Sequence, residues 1–204
     1  MVGNDVVDLD EPSNATAHLR ERFVARVCND DERSTLAATN DPRTLLWCFF
    51  AAKEAAFKVV AKLGPPPPFA HRLFAIAPDL RRARYGALTL SLSVRVGVSW
   101  VHAVASDQHE VLVRAVQRVT GDELGVAARR LLRRVVARRI GRDETELEVV
   151  RQPRPGSWDG FAPPQLLLRG GPTGIDVSLS HDGRFVAAAA DVGGFLASPC
   201  SARS

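Results

Sequence analysis

The segment Trp47-Cys-Phe-Phe-Ala-Ala-Lys-Glu-Ala-Ala-Phe-Lys58 predicts a helix that is apolar on nearly all sides. Only Lys53, Glu54, Lys58 and, further on, Lys62 interrupt the apolar surface. The last three follow one another at four-residue spacing, so they share one stripe. A helix this apolar is packed on most sides, and its polar stripe then faces a polar group. Two interpretations stay open: a solvated ladder of ion pairs worth about 0.2–0.5 kcal/mol each, or a site for a phosphate with a divalent metal.

The ends of this helix carry clear signals. Asp41 is a good N-cap followed by Pro42 at the first helical position, although Asp30–Glu32 offers an alternative start. Gly64 and the prolines from residue 65 end the helix near Leu63. The other elements predicted for this half are a strand over Gly3–Leu9, a helix around Ala17–Val27, and strands over Leu73–Ala77, Leu88–Val96 and Val98–Ala105.

The rest of the chain repeats the order of a long helix followed by strands. The elements predicted here are a strand over Val111–Val116, a helix from about Asp122 to Ile140 that ends at Gly141, strands over Leu147–Arg151 and Gln165–Leu168, and a hairpin over Val177–Ala189 that turns at Asp182-Gly183. We therefore expect an α+β fold of two similar half-domains, each a long helix packed on an antiparallel sheet. The expected boundaries are residues 1–108 and 109–195, with a disordered tail over 196–204.

Composition excludes several classes. The chain has 204 residues, a hydrophobic share of 46% and a net charge of +4, all ordinary for a globular protein. No apolar run approaches the roughly 20 residues of a membrane span, and the acidic N-terminus does not look like a signal peptide. The three cysteines form no ligand pair, so we expect reduced thiols in a cytoplasmic protein. Cys48 lies in a wholly apolar stretch, which disfavours a thiolate nucleophile.

The positive charge is concentrated on the predicted helix that contains Arg129–Arg139. Such a run is usually a solvated helix face, but it also suits the docking of an acidic partner. No aromatic side chains are interleaved with these arginines, and we therefore expect no nucleic-acid partner.

Three motifs together resemble the 4′-phosphopantetheinyl transferase superfamily. They are Gly3-Asn-Asp5, Lys53-Glu-Ala-Ala-Phe-Lys58 and Ser180-His181. In the longer type of this superfamily the half with Ser-His comes first, whereas here it comes last. The shorter, holo-acyl-carrier-protein-synthase type has the present order at about half the length, and it assembles as a trimer. The chain thus resembles a long-type pseudo-dimer with its halves in permuted order, and a monomer is expected.

The resemblance implies a reaction and a set of site residues. A serine of an acyl or peptidyl carrier protein would attack the β-phosphate of coenzyme A, and adenosine 3′,5′-bisphosphate would leave. Mg²⁺ is the implied cofactor, and coenzyme A is the co-substrate. The implied metal ligands are Asp5, Glu54 and Asp8. Glu54 would also take the serine proton, and Lys58 and His181 would bind phosphate, so these three are the implied catalytic residues. Further contacts with coenzyme A are implied for Ser180, Arg184 and Arg151.

Some positions depart from the pattern. Val7 stands where the long type has a second acid, and Asp8 matches an acid of the short type. Because side chains alternate along a strand, Asp8 and Asp5 are expected on opposite faces unless a bulge intervenes. Asn4 replaces a usual aliphatic residue. The missing acid at position 7 and the lack of the family's basic Gly-Lys-Pro segment keep an alternative open, in which the chain is a non-catalytic relative that binds coenzyme A, a nucleotide or a protein partner.

Overall fold

The computed structural model describes residues 1–65, 68, 70–108, 112–121, 123–155 and 160–197. Residues 198–204 of the predicted tail lie outside the described residues, whereas residues 196 and 197 belong to the last helix. Residues 111 and 122, where a strand and a helix were predicted to begin, also lie outside them. No helix of the described part is long and apolar enough to cross a membrane.

The first half contains one five-stranded antiparallel sheet with a long helix packed on it. Its elements are β1 (Val2–Asp8), α1 (Pro12–Ala15), α2 (Glu21–Val27), α3 (Asp30–Ala38), α4 (Pro42–Leu63), β2 (Phe74–Ile76), β3 (Arg82–Tyr85), β4 (Leu88–Val96) and β5 (Trp100–Ser106), with 3₁₀ turns at Ala17–Leu19 and His71–Leu73. The strand order is β1-β5-β4-β3-β2. Helix α4 packs on β1 and β5 and supplies the largest share of this half's buried core.

The second half repeats this plan. Its elements are β6 (Leu112–Arg118), α5 (Leu124–Ile140), β7 (Leu147–Val150), β8 (Gln165–Leu168), β9 (Gly171–Asp182), β10 (Phe185–Asp191) and α6 (Gly193–Ala197), with a 3₁₀ turn at Glu144–Glu146. The strand order is β6-β10-β9-β8-β7, so in both halves the first strand pairs with the last and the long helix follows the first strand. The predicted α+β fold of two similar halves is confirmed.

The helices of the first half differ from the prediction in two places. Asp30–Ala38 is a separate helix, because the Asn29 side chain accepts from the Glu32 N–H in a capping box. Helix α4 then starts afresh at Pro42, with the Asp41 carboxylate accepting from the Thr44 N–H at 3.0 Å. The single helix predicted around Ala17–Val27 is broken into a 3₁₀ turn and α2.

Strand β3 was missed by the sequence analysis. It is four residues long and has one buried side chain, Ala83. Such a short, charged segment gives no alternation of apolar residues from which a strand could be predicted.

Lys53 belongs to the core rather than to the polar stripe. Its ammonium is fully buried and donates to the Glu32 carboxylate and, at 2.8 Å, to the Val27 carbonyl. The Glu32 carboxylate also accepts from the N–H of Asn29 and of Ile76. This buried ion pair therefore ties α3 and β2 to α4.

The two halves meet along β1, which is the edge strand of its sheet. The free N–H groups of this edge donate to side chains of β9: Val2 to Asp176, Asn4 to Ser178 and Asp8 to Asp182. Lysines of α4 cover the carbonyls, Lys62 that of Val2 and Lys58 that of Asn4. An edge strand that would otherwise leave unpaired backbone groups is thus satisfied by side chains of the other half.

This junction explains the polar residue at position 4. Asn4 is fully buried, and its amide lies 3.2 Å from both His102 Nε2 and the Ser180 hydroxyl. Burial lowers the pKa of His102 to about 3, so this imidazole is neutral and its Nε2 can accept from Asn4. An aliphatic side chain would leave these buried polar groups without a partner.

Candidate active site

The close approach of β1 to α4 determines where the first motif points. Gly3 faces α4, and a Cβ at this position would lie 2.1 Å from the Ala55 carbonyl oxygen. Only glycine allows this contact, and the alternation of the strand then brings Asp5 onto the same helix face. The pairing of β1 with β5 runs without interruption from Val2 to Asp8, so no bulge alters this alternation.

Asp5 is a largely buried carboxylate with one cationic neighbour. Its side chain is 14% exposed, and its Oδ1 accepts from Lys58 Nζ at 3.0 Å. Burial raises the pKa of Asp5 to about 6; the charges of Glu54 and Asp182 add to the rise and Lys58 opposes it. The positive charge near this carboxylate does not offset the cost of its burial, and a further cation would stabilise its charged form.

Glu54 lies one turn before Lys58 on α4, at the edge of the same site. Its Oε1 is 3.2 Å from Nε2 of His71, which follows the loop after α4. The His71 ring packs on Phe50 with ring centroids 4.8 Å apart. Sequence reasoning missed His71, since nothing in its local pattern connects it to Glu54.

The second half contributes the end of β9, next to the turn into β10. His181 and Asp182 both line the cavity that Asp5 and Glu54 line. The Asp182 Oδ2 accepts from the N–H of Asp8 at 2.8 Å and from Asn14 Nδ2 at 3.0 Å. Asp182 was noted only as a turn residue, and its approach to Asp5 depends on a contact between halves that no local pattern reveals.

The cavity is about 900 Å³ in volume, and one of its walls is aromatic. Phe23, Trp47 and Phe50 pack against one another, with centroids of the two α4 rings 5.2 Å apart. Trp47, Phe50 and Glu54 are spaced three and four residues apart, a signal in the sequence that places them on one helix face. Arg26 and Arg72 add positive charge to the lining.

The structure brings together Asp5, Glu54 and His181 on one cavity, with Lys58 in contact with Asp5. It does not bring Asp8 to this group. Asp8 lies on the opposite face of β1, where its carboxylate accepts from Arg184 Nε and Nη2 at 2.7 Å each.

The other predicted contacts also have different surroundings. Arg184 is held by Asp8 and, at 2.9 Å, by Asp10. The Ser180 hydroxyl accepts from Asn4 in the junction, on the strand face opposite His181. Arg151 donates to the Ala162 carbonyl at 3.1 Å and lies over the Phe161 ring. None of these three lines the cavity among the described residues.

The residues present suit a Mg²⁺ ion that keeps most of its own water. No group of three His, Cys, Asp or Glu residues in the described part of the chain is placed to hold a metal. Asp5 and Glu54 supply two carboxylates, and burial raises the pKa of Asp5, so a bound cation would stabilise the charged form of that carboxylate. Mg²⁺ commonly takes one or two carboxylates, with substrate phosphates and waters as the other ligands.

Comparisons with known proteins agree with the motifs. Residues 1–95 match the family model of the 4′-phosphopantetheinyl transferase superfamily, which confirms the predicted superfamily. A search of curated proteins gave no significant match.

Two solved structures resemble the chain. The Helicobacter pylori holo-[acyl-carrier-protein] synthase in complex with coenzyme A is 18% identical, with a TM-score of 0.41 over 52% of this chain and 97% of that one. The Thermotoga maritima holo-[acyl-carrier-protein] synthase is 14% identical, with a TM-score of 0.36 over 84% of this chain and 83% of that one.

Proposed function

Because the chain belongs to the 4′-phosphopantetheinyl transferase superfamily through residues 1–95, we propose that it transfers phosphopantetheine from coenzyme A to a serine of an acyl or peptidyl carrier protein. One observation carries the proposal. Asp5 and Glu54, which come from different motifs, line one cavity with His181 from the other half. A solvated ion-pair ladder on α4 would require neither this convergence nor the buried Asp5.

The reaction requires one bond to form and one to break. The serine oxygen of the carrier attacks the β-phosphorus of coenzyme A, and the bond from that phosphorus to the bridging oxygen breaks. Adenosine 3′,5′-bisphosphate leaves with the bridging oxygen, and the serine proton is accepted by a base. Such chemistry depends on positioning and charge neutralisation rather than on a protein nucleophile.

The residues divide this work. Asp5 and Glu54 would hold Mg²⁺, which would supply positive charge against the pyrophosphate. Glu54 is only partly buried, at 21% exposure of its side chain, and it takes the serine proton directly or through a water. Lys58 and His181 bind phosphate oxygens, and the proposed place for the apolar pantetheine arm is the wall of Trp47 and Phe50.

A specific observation favours a second candidate. Val7 lies on the cavity with 2% exposure at the position of the missing acid, so the site has an apolar side chain where the long type has a carboxylate. A non-catalytic relative that binds coenzyme A or a nucleotide would show the same departure. The two candidates differ in whether a carrier is modified.

The test is an intact-mass measurement of a panel of apo carrier proteins incubated with the chain, coenzyme A and Mg²⁺. We expect a mass gain of one phosphopantetheine that disappears with EDTA and in Glu54→Gln. The exposed Glu148→Gln on β7 is the matched control and should act like the wild type. Binding of coenzyme A without any mass gain supports the non-catalytic candidate, and absence of both contradicts the proposal.

A further inference from the structure

Asp8 and Arg184 form an ion pair that joins the two halves directly beside the proposed active site. The Asp8 residue is 1% exposed, and both of its carboxylate oxygens are occupied. Oδ1 accepts from Arg184 Nη2 at 2.7 Å and from the Asp10 N–H at 3.0 Å. Oδ2 accepts from Arg184 Nε at 2.7 Å and from the Arg184 N–H at 3.0 Å.

The Asp8 carboxylate packs against the turn between β9 and β10. A Cβ on Gly183 would lie 2.5 Å from Asp8 Oδ2, and the φ of Gly183 is +49°. Both the contact and the backbone conformation therefore require glycine. The last two residues of β9, His181 and Asp182, come directly before Gly183 and line the cavity.

A second contact fixes the same turn. The N–H of Asp8 donates to Asp182, and Asn14 donates to both Asp182 and the Asp8 carbonyl. Three kinds of group from the first half, a carboxylate, a backbone N–H and an amide, thus bind Asp182 and Arg184, on either side of Gly183. A bidentate arginine–carboxylate pair also fixes orientation, which a single point contact does not.

Burial alone would oppose ionisation of Asp8, but the hydrogen bonds from Arg184 outweigh it and lower the pKa of Asp8. The carboxylate is therefore charged at neutral pH. Because it faces away from Asp5 and is fully engaged, it is not available to a metal ion.

We propose that Asp8 and Arg184 are positioning residues, which hold His181 and Asp182 over Asp5 and Glu54 and thereby set the affinity of the site for its phosphate-bearing substrate. This inference rests on the proposed function for its substrate, coenzyme A. Its structural part, the placement of His181, can be measured without any activity.

The test compares Arg184→Gln and Arg184→Lys with the wild type. The first measurement is the imidazole NMR spectrum; the chain has five histidines, and His181→Gln assigns the resonance of interest. We expect the His181 resonance to shift or broaden in Arg184→Gln and to return toward its wild-type position in Arg184→Lys, which keeps the charge. The second measurement is coenzyme A binding with Mg²⁺, for which we expect a loss of at least about tenfold in Arg184→Gln, because loss of a hydrogen bond to a charged phosphate weakens binding by that much or more.

Arg169→Gln is the matched control, because Arg169 makes an exposed ion pair with Glu146 at 2.8 Å in the same half. Thermal melts show whether each variant is folded. If Arg184→Gln is unfolded, Arg184→Lys alone is compared with the wild type. A smaller shift of the His181 resonance is then expected, because lysine cannot make the bidentate contact. A His181 resonance and a coenzyme A affinity equal to those of Arg169→Gln would overturn the inference. If the wild type neither binds coenzyme A nor modifies a carrier, the proposed function fails, while the His181 resonance still decides the placement.

Discussion

The contact between Gly3 and α4 supports a quantitative prediction for Gly3→Ala. The added Cβ would lie 2.1 Å from the Ala55 carbonyl oxygen and 3.0 Å from the Lys58 Cβ. To reach an ordinary separation of about 3.4–3.5 Å, β1 and α4 must move apart by about 1.3 Å. Neither partner is a flexible side-chain end, so the strand itself has to shift.

Two effects follow from this displacement. Overpacking of a well-packed interior costs about 1–3 kcal/mol of unfolding free energy. The shift also separates Asp5 from Glu54 and Lys58, and a misplacement of about 1 Å can reduce a catalytic rate by roughly 100-fold. We therefore expect Gly3→Ala to lose both stability and transfer activity, with the larger fractional loss in activity.

Urea unfolding followed by tryptophan fluorescence measures the first effect, and the intact-mass assay on a carrier protein measures the second. Gly64→Ala is the matched control, since a Cβ there meets nothing within 4 Å and the backbone is extended at φ −170°. The reasoning is refuted if Gly3→Ala and Gly64→Ala have the same midpoint and the same activity.

Three further predictions concern buried charge. The raised pKa of Asp5, about 6, means that between roughly pH 4 and pH 6 the folded chain binds more protons than the unfolded chain, so stability falls as the pH rises through this window. Asp5→Asn should abolish that fall in metal-free urea melts; an unchanged slope would show that another group titrates. Glu32→Gln leaves Lys53 buried without its anionic partner, and it should cost about 3–5 kcal/mol in the same melts, whereas a cost below about 1 kcal/mol would contradict the buried pair. Val7→Asp places an acid on the cavity face of β1, so it should lower the melting temperature in the absence of metal. Addition of Mg²⁺ should then raise the melting temperature of Val7→Asp more than that of the wild type. An equal rise in the two proteins would argue against a metal at this position.

The part of the site that lies within the first half could be predicted because local periodicity determines it. Alternation along a strand places Gly3 and Asp5 on one face, and four-residue spacing places Glu54 and Lys58 on one stripe of α4. Each motif lies on a single element, so the direction of its side chains follows from the orientation of that element alone. The contact of Asp5 with Lys58 then follows from the packing of a glycine against the helix.

Contacts between the halves could not be predicted in this way. Asp8 and Arg184 are both charged and both lie close to motif residues, and the resemblance assigned them to a metal and to a phosphate. They are separated by 176 positions in the chain, and only the way the two sheets pack shows that they bind each other. The position of Ser180, by contrast, was accessible from alternation, since it must face away from His181 on the same strand.

The shared topology of the halves also explains why the second half supplies a turn and not a second site. When β6 is aligned with β1 through their pairing with the last strand of each sheet, Val113 and Ala115 take the places of Gly3 and Asp5. A valine prevents the close approach of the helix that Gly3 allows, and an alanine carries no carboxylate. When α5 is aligned with α4 at their C-terminal ends, Leu131 and Val135 stand where α4 has its acid and its lysine.

The polar chemistry is therefore confined to one of two equivalent positions, and the other half can act on the substrate only through the residues that it extends toward that position. His181 and Asp182 are those residues, and nothing in their own sheet fixes their distance from Asp5. That distance depends on the contacts between β1 and the second half, which include the hydrogen bond of the Asp8 N–H to Asp182 and the ion pair of Asp8 with Arg184. A chain with these polar residues at only one of two equivalent positions thus depends more heavily on the junction between its halves than a symmetric assembly would, because there is no second site to compensate when the junction is displaced.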